Sequence, residues 1–120
     1  MKAEINDISS RDDIVSLLNE FYALAQEDKI IGTKFTHLNM AEHIQIIADF
    51  WHGILFGTNS YNGDAFGQHK ELNLLKKDFN RWLELLIETV DANYTDPVAT
   101  EAKHRATTIA QVFQYKLGLL

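Results

Sequence analysis

Cysteine is absent from the 120 residues, and proline occurs once, at Pro97. Without thiols the chain can form no disulfide, no zinc–thiolate site and no iron–sulfur cluster, and it has no nucleophilic cysteine. The absence also fits a reducing compartment. Glycine occurs six times. Because helix-breaking residues are this few, long stretches of the chain are free to continue as helices.

Positive charge and long apolar runs are also scarce. The formal net charge is −6, and no cluster of Lys and Arg stands out, so the composition disfavours a nucleic-acid partner. No apolar run approaches the roughly 20 residues that span a bilayer. The opening MKAEINDISS lacks the apolar core of a signal peptide. Since 46% of the residues are hydrophobic, we expect one globular domain over residues 1–120, located in the cytoplasm and without membrane contact.

Apolar residues recur three and four positions apart, and strand-like alternation is missing, so the sequence predicts an all-α fold. The long helices are expected over residues 11–28, 39–57, 75–93 and 97–117, with a short helical turn within 32–38. Ser10 and Asn39 precede the first two long helices as N-caps, each followed three residues later by an acidic residue. Asp96 is expected to cap the last helix, because Pro97 would take its first position.

Helix geometry sorts the histidines. His43 shares the apolar face of the second helix, whereas His52 and His104 lie opposite apolar faces and should be exposed. The pairs Asp49-x-x-His52 and Glu101-x-x-His104 have the spacing of di-iron carboxylate bundles, but that site needs inward-pointing ligands. A solvated charged face is therefore the better interpretation of both pairs. His37 falls in a loop and cannot be placed.

Two histidines remain available to the interior, His43 and His69. A lone histidine on an apolar face is more often a hydrogen-bonded core residue than a ligand, but two of them on different segments favour a ligand role. Tyr22 and Trp82 add polar atoms to predicted apolar faces. The aromatic residues can form an ordinary core, or they can pack on a flat apolar cofactor. No catalytic acid–base pair, HExxH motif or phosphate-binding loop is present.

Four stretches together resemble a known family. They are EFYALAQED, AEHIQIIADFWHGILFG, YNGDAFGQHKEL and DFNRWLELLIETVD, and with their spacing they are similar to the truncated haemoglobins, specifically group III. The Gly-Gly motifs of groups I and II are absent, which favours group III. The proline often found just before the proximal histidine of the family is absent too. The resemblance implies a two-over-two helical sandwich around haem b, which is iron protoporphyrin IX.

The resemblance also implies roles for individual residues. His69 would ligate the iron from a short irregular segment, DAFGQHKELN at 64–73, which haem binding would help to order. Tyr22, His43 and Trp82 would lie on the distal side and stabilise a bound ligand. The residues expected to pack on or near the haem are Phe35, Ile47, Phe50, Trp51, Phe66, Leu72, Phe79 and Trp82. No partner for the propionates is implied, and Lys70 and Arg105 are candidates without a motif.

Three functions remain open at this level. The first is a haem protein that binds O₂ or another diatomic gas, CO or NO. Several donors would slow the release of O₂, which suits reaction or sensing better than transport. The second is a haem enzyme that detoxifies nitric oxide or peroxide, in the manner of a nitric oxide dioxygenase or a peroxidase, with an external reductase. The third is a helical interaction module without a cofactor.

Overall fold

The computed structural model describes residues 5–35, 39–57 and 74–119. Over these ranges the chain is helical, with α1 at Arg11–Glu27, a 3-10 helix at Gly32–Phe35, α2 at Met40–Phe56, α3 at Lys76–Asn93 and α4 at Pro97–Lys116. No strand occurs in these ranges beyond one isolated bridge between Asn6 and Tyr94. The all-α prediction is confirmed, and each predicted long helix is present with its ends within one residue.

Local capping explains where the first two long helices begin and end. The Ser10 hydroxyl accepts a hydrogen bond from the Asp13 N–H at 3.2 Å, and the Asn39 side chain accepts one from the Glu42 N–H at 3.3 Å. Each bond satisfies an N–H that the helix itself leaves unpaired. α2 ends at Gly57, whose φ of 71° is left-handed and therefore favours glycine.

The helices pack as two pairs. α1 lies against α2, α3 lies against α4, and the contact between α1 and α3 joins the pairs. Arg11 of α1 holds α2 through Asp49 at 2.9 Å, and Arg81 of α3 holds Asp28, just after α1, at 2.8 Å. The buried centre comes from residues such as Ile14, Leu18, Phe21, Ala48, Leu86, Val90, Ala102 and Ala106. This is the two-over-two arrangement that the family resemblance implies.

The start of α4 corrects one prediction. Asp96 precedes Pro97 as expected, but its side chain makes no capping hydrogen bond, and its φ is 80°. The cap comes from Asp7, whose carboxylate accepts hydrogen bonds from the Val98 N–H at 3.0 Å and the Ala99 N–H at 2.9 Å. The N-terminal segment therefore supplies the negative charge that this helix N-terminus favours.

Two smaller expectations also change. Leu24 shares the apolar spacing of α1, which predicts burial, but it is 47% exposed. His52 is half-buried and lies beside the Phe56 ring, with centroids 5.3 Å apart, rather than projecting freely into solvent. His104 is exposed, as predicted. None of the described helices has the length and apolar character needed to cross a membrane.

Candidate functional site: an aromatic pocket with a tyrosine–histidine pair

The described helices enclose a pocket that opens between the two helix pairs. It contains about 790 Å³ of space free of atoms, part of which is open solvent at its mouth. All four helices and the 3-10 helix contribute to its walls. The described residues that line it are Leu18, Phe21, Tyr22, Ile31, Phe35, Ile47, Phe50, Trp51, Leu74, Asp78, Phe79, Trp82, Leu86, Ile109, Ala110 and Phe113.

Seven of the residues predicted for the site meet in this pocket. They are Tyr22, Phe35, Ile47, Phe50, Trp51, Phe79 and Trp82. His43 joins them through its hydrogen bond to Tyr22. The predictions for His69, Phe66 and Leu72, like the unplaced His37, lie outside the described residues.

A tyrosine and a histidine give the pocket its polar feature. The Tyr22 hydroxyl oxygen lies 3.0 Å from His43 Nε2, and the two rings meet edge to face with centroids 5.2 Å apart. α1 carries the tyrosine and α2 the histidine, so the bond crosses the first helix pair. Which group donates depends on the histidine tautomer.

Burial fixes the chemistry of the tyrosine. Tyr22 is 3% exposed, and its ring packs edge to face against Phe21 at 4.9 Å and Phe35 at 5.6 Å between centroids. Desolvation disfavours the phenolate and raises the pKa of the Tyr22 hydroxyl far above its ordinary value of 10.0. The side chain therefore keeps its proton at any physiological pH and remains a hydrogen-bond donor.

Some of the large apolar side chains face the pocket rather than filling a solid core. Phe50, Trp82, Ile109 and Phe113 are only half-buried, although they occupy predicted apolar faces, because each lines the pocket. Trp82 also lies edge to face with Phe21, with ring centroids 6.4 Å apart. A set of large rings around an apolar slot is a surface on which a flat apolar group can pack.

Asp78 is a pocket residue that the sequence interpretation missed. It is 1% exposed, and its Oδ2 accepts a hydrogen bond from the Leu75 N–H at 2.8 Å and lies 3.7 Å from Lys34 Nζ. Its Oδ1 has no hydrogen-bond partner among the described residues. The available signal was an acidic residue in the first turn of a helix, which indicates a capping role but not burial.

Comparison with known proteins agrees with this architecture. A family model described as bacterial-like globin matches residues 6–114. A group 3 truncated hemoglobin, ctb, of Campylobacter jejuni is 30% identical in an alignment 119 residues long, and the alignment covers 91% of this chain and 94% of that protein. The crystal structure of a group III truncated hemoglobin from Campylobacter jejuni superposes with a TM-score of 0.86 at 28% identity, covering 95% of each chain.

The class of protein follows from the helical sandwich together with these matches. The chain belongs to the bacterial-like globin family, among the truncated haemoglobins of group III. The predicted family is thereby confirmed. Membership implies that a haem-based site for small ligands is its general function.

The residues of the pocket fit such a group. Its walls are mostly apolar and rich in rings, and the polar groups among its lining residues are few: the Tyr22 hydroxyl, which contacts His43, the Trp82 indole N–H and the Asp78 carboxylate. A flat apolar macrocycle needs walls of this kind, and a small polar ligand beside it needs a donor of this kind.

Proposed function

We propose that the protein holds haem b in the aromatic pocket and binds O₂, or another diatomic gas such as CO or NO, reversibly there. The observation that carries the proposal is the 3.0 Å contact between the Tyr22 hydroxyl and His43 Nε2 at the edge of a pocket with mostly apolar walls. When bound, the haem iron supplies the coordination position for the gas. The remaining steps are performed by side chains of this chain.

The haem would be held by contacts from several elements. His69 is the proposed iron ligand, on the strength of the family resemblance. Phe35, Ile47, Phe50, Trp51 and Phe79 line the pocket as described and would pack against the macrocycle, together with Phe66 and Leu72. Their burial against an apolar group would contribute most of the binding free energy.

Tyr22 and His43 would control the polarity of the ligand side. A diatomic ligand that carries partial negative charge is stabilised by a nearby donor in a pocket that excludes water. Tyr22 has one hydroxyl proton. With a proton on His43 Nε2, the histidine donates to the tyrosine oxygen and leaves the tyrosine proton for the ligand. With Nε2 unprotonated, the tyrosine hydroxyl donates its hydrogen bond to the histidine instead of to the ligand.

The tautomer of His43 would therefore set the strength with which the pocket holds a ligand. Trp82, which also lines the pocket, is the further proposed donor.

A titration with haemin tests the proposal. The protein without haem is mixed with increasing haemin, and the visible absorbance is followed in the ferric, ferrous and ferrous–CO forms. We expect uptake of one haem per chain, a Soret band that shifts with CO, and loss of this spectrum in His69→Ala. His104→Ala is the matched control, since His104 is exposed on α4, and it should behave as the unmodified protein.

Two outcomes would overturn the proposal. If the protein binds no haemin, the result would support the alternative of a helical interaction module without a cofactor. Haem uptake with an unchanged spectrum in His69→Ala would remove His69 as the ligand.

A further inference from the structure

A second depression lies on the outer side of α3 and α4. This groove contains about 1160 Å³ of space free of atoms, much of it open to solvent, and Ala110 lines both the groove and the aromatic pocket. Lys76 of the groove is one helical turn from Phe79 of the pocket. A molecule seated in the groove would therefore be separated from the pocket by a single layer of helices. Other described residues lining the groove include Asn80, Leu83, Gln111 and Lys116.

Two positive charges beside the groove are unfavourable for the helix that carries them. Lys76 and Lys77 occupy the first turn of α3 and are exposed. A helix N-terminus carries partial positive charge, so two lysines there are unfavourable. Within the described ranges neither lysine makes an ion pair, and Asp78 of the same turn is buried and turned toward Lys34. These two positive charges also run against the net charge of −6.

Exposed apolar side chains accompany the lysines. Tyr115 is 76% exposed and Val112 is 42% exposed, and both line the groove. Leu75, which directly precedes the two lysines, is 47% exposed. Apolar groups bordered by charge are typical of protein interaction sites. We call Leu75, Lys76, Lys77, Val112, Tyr115 and Lys116 the α3–α4 patch.

We propose that the α3–α4 patch docks the acidic face of a protein that donates electrons to this chain. Charge complementarity selects an acidic partner, and the apolar residues require a partner with a matching apolar centre. The exposed Val112 and Tyr115 favour a protein partner over nucleic acid, because an apolar centre is typical of protein interfaces. Position selects the role, because the patch lies one layer from the pocket.

The role of the partner rests on the proposed haem function, whereas the docking surface does not. In that role the donor loses one electron to ferric iron, which becomes ferrous, and no atom is transferred. A haem protein that binds O₂ in the ferrous state needs such an external supply of electrons to return from the ferric state.

The test uses a purified flavodoxin as an acidic one-electron donor. The ¹⁵N-labelled protein, as purified with haem in the diamagnetic ferrous–CO form, is titrated with flavodoxin at low ionic strength, and amide shifts are mapped. We expect the shifts to cluster at residues 75–83 and 107–116, and the affinity to fall as salt is added. Lys76→Glu should weaken binding at least fivefold.

Lys29→Glu is the matched control, because it makes the same charge change at an exposed lysine in the turn after α1. Misfolding is not expected to confuse the result, since a glutamate in the first turn of α3 is favoured by the helix dipole and should raise the melting temperature. Shifts that cluster elsewhere, equal loss of affinity in both variants, or no binding at millimolar flavodoxin would overturn the proposal.

Two further outcomes distinguish the docking surface from the identity of its partner and from the haem function. Shifts in the patch that depend on the concentration of this protein alone would identify an interface between two copies and overturn the acidic partner. Should the chain take up no haem, the same titration is run on the haem-free protein. Flavodoxin mapping to the patch would then uphold the docking surface while the haem function and the electron-donor role fail.

Discussion

Tyr22 of α1 and His43 of α2 form a hydrogen bond of 3.0 Å that spans the first helix pair at the edge of the aromatic pocket. The tyrosine is held in place by ring contacts with Phe21 and Phe35, so its hydroxyl has little freedom to turn away. The pair therefore combines a rigid donor with a partner whose tautomer decides where the donor points.

Removal of the Asp7 carboxylate should destabilise α4. Asp7→Ala takes away the acceptor for the Val98 and Ala99 N–H groups, and loss of such a cap lowers the free energy of unfolding by about 1–2 kcal/mol. Urea unfolding monitored by circular dichroism measures the change. Asp7→Asn, which keeps one acceptor oxygen, should lose less. An Asp7→Ala variant as stable as the original would show that the cap contributes nothing.

Substitution of Asp96, which directly precedes α4, should increase stability, whereas substitution of Asp7 decreases it. Asp96 has a φ of 80° and makes no capping bond with its side chain. Because a β-carbon is strained at this φ, Asp96→Gly should raise the free energy of unfolding by about 1 kcal/mol. The same urea experiment checks it. A loss of stability would restore Asp96 as the functional cap of the helix.

Asp28 should make stability depend on acidity. Its partial burial alone would raise the carboxyl pKa, but hydrogen bonds from Arg81 and from the Ile30 and Ile31 N–H groups outweigh burial and leave the pKa below its ordinary value of 3.8. The unfolded carboxyl therefore binds a proton more readily than the folded one. The stabilisation is present above pH 3.8 and is lost as the pH falls through the lower, folded pKa.

Thermal unfolding below pH 4 measures this effect. Asp28→Asn has no carboxyl to protonate, so its melting temperature should fall less steeply with acid than that of the unmodified protein. Arg81→Gln should also flatten the slope, since it removes one of the groups that lower the Asp28 pKa. Equal slopes in all three proteins would exclude Asp28 as a source of the acid sensitivity.

Much of the fold could be predicted because its signals are local. The side chains of Ser10 and Asn39 each accept a hydrogen bond from the N–H group three residues later. The apolar spacing of α2 correctly predicts that His43 points toward the pocket side. The Asp7 cap could not be predicted, because Asp7 lies 91 positions before Val98 and 92 positions before Ala99 in the sequence. The same holds for Asp78, because only the approach of Lys34 and the packing of α3 bury it.

The pocket itself was predicted in composition rather than in shape. Spacing placed Phe50, Trp82 and Phe113 on apolar faces, and the structure shows them half-buried around a slot. The spacing of apolar residues alone does not distinguish a helix face that packs against another helix from a face that lines a pocket. The family resemblance supplied that distinction, through the order of the tyrosine, histidine and tryptophan along the chain.

The dissociation rate of O₂ from the ferrous protein tests the central claim most directly. It is measured by stopped-flow mixing with CO, for the unmodified protein, Tyr22→Phe and the control Tyr115→Phe, whose hydroxyl belongs to a 76% exposed side chain. We predict that Tyr22→Phe releases O₂ about tenfold faster or more, as expected for one lost hydrogen bond in a dry pocket, and that Tyr115→Phe is unchanged. Equal rates in all three proteins would contradict the account, because the Tyr22–His43 pair would then have no part in holding the ligand.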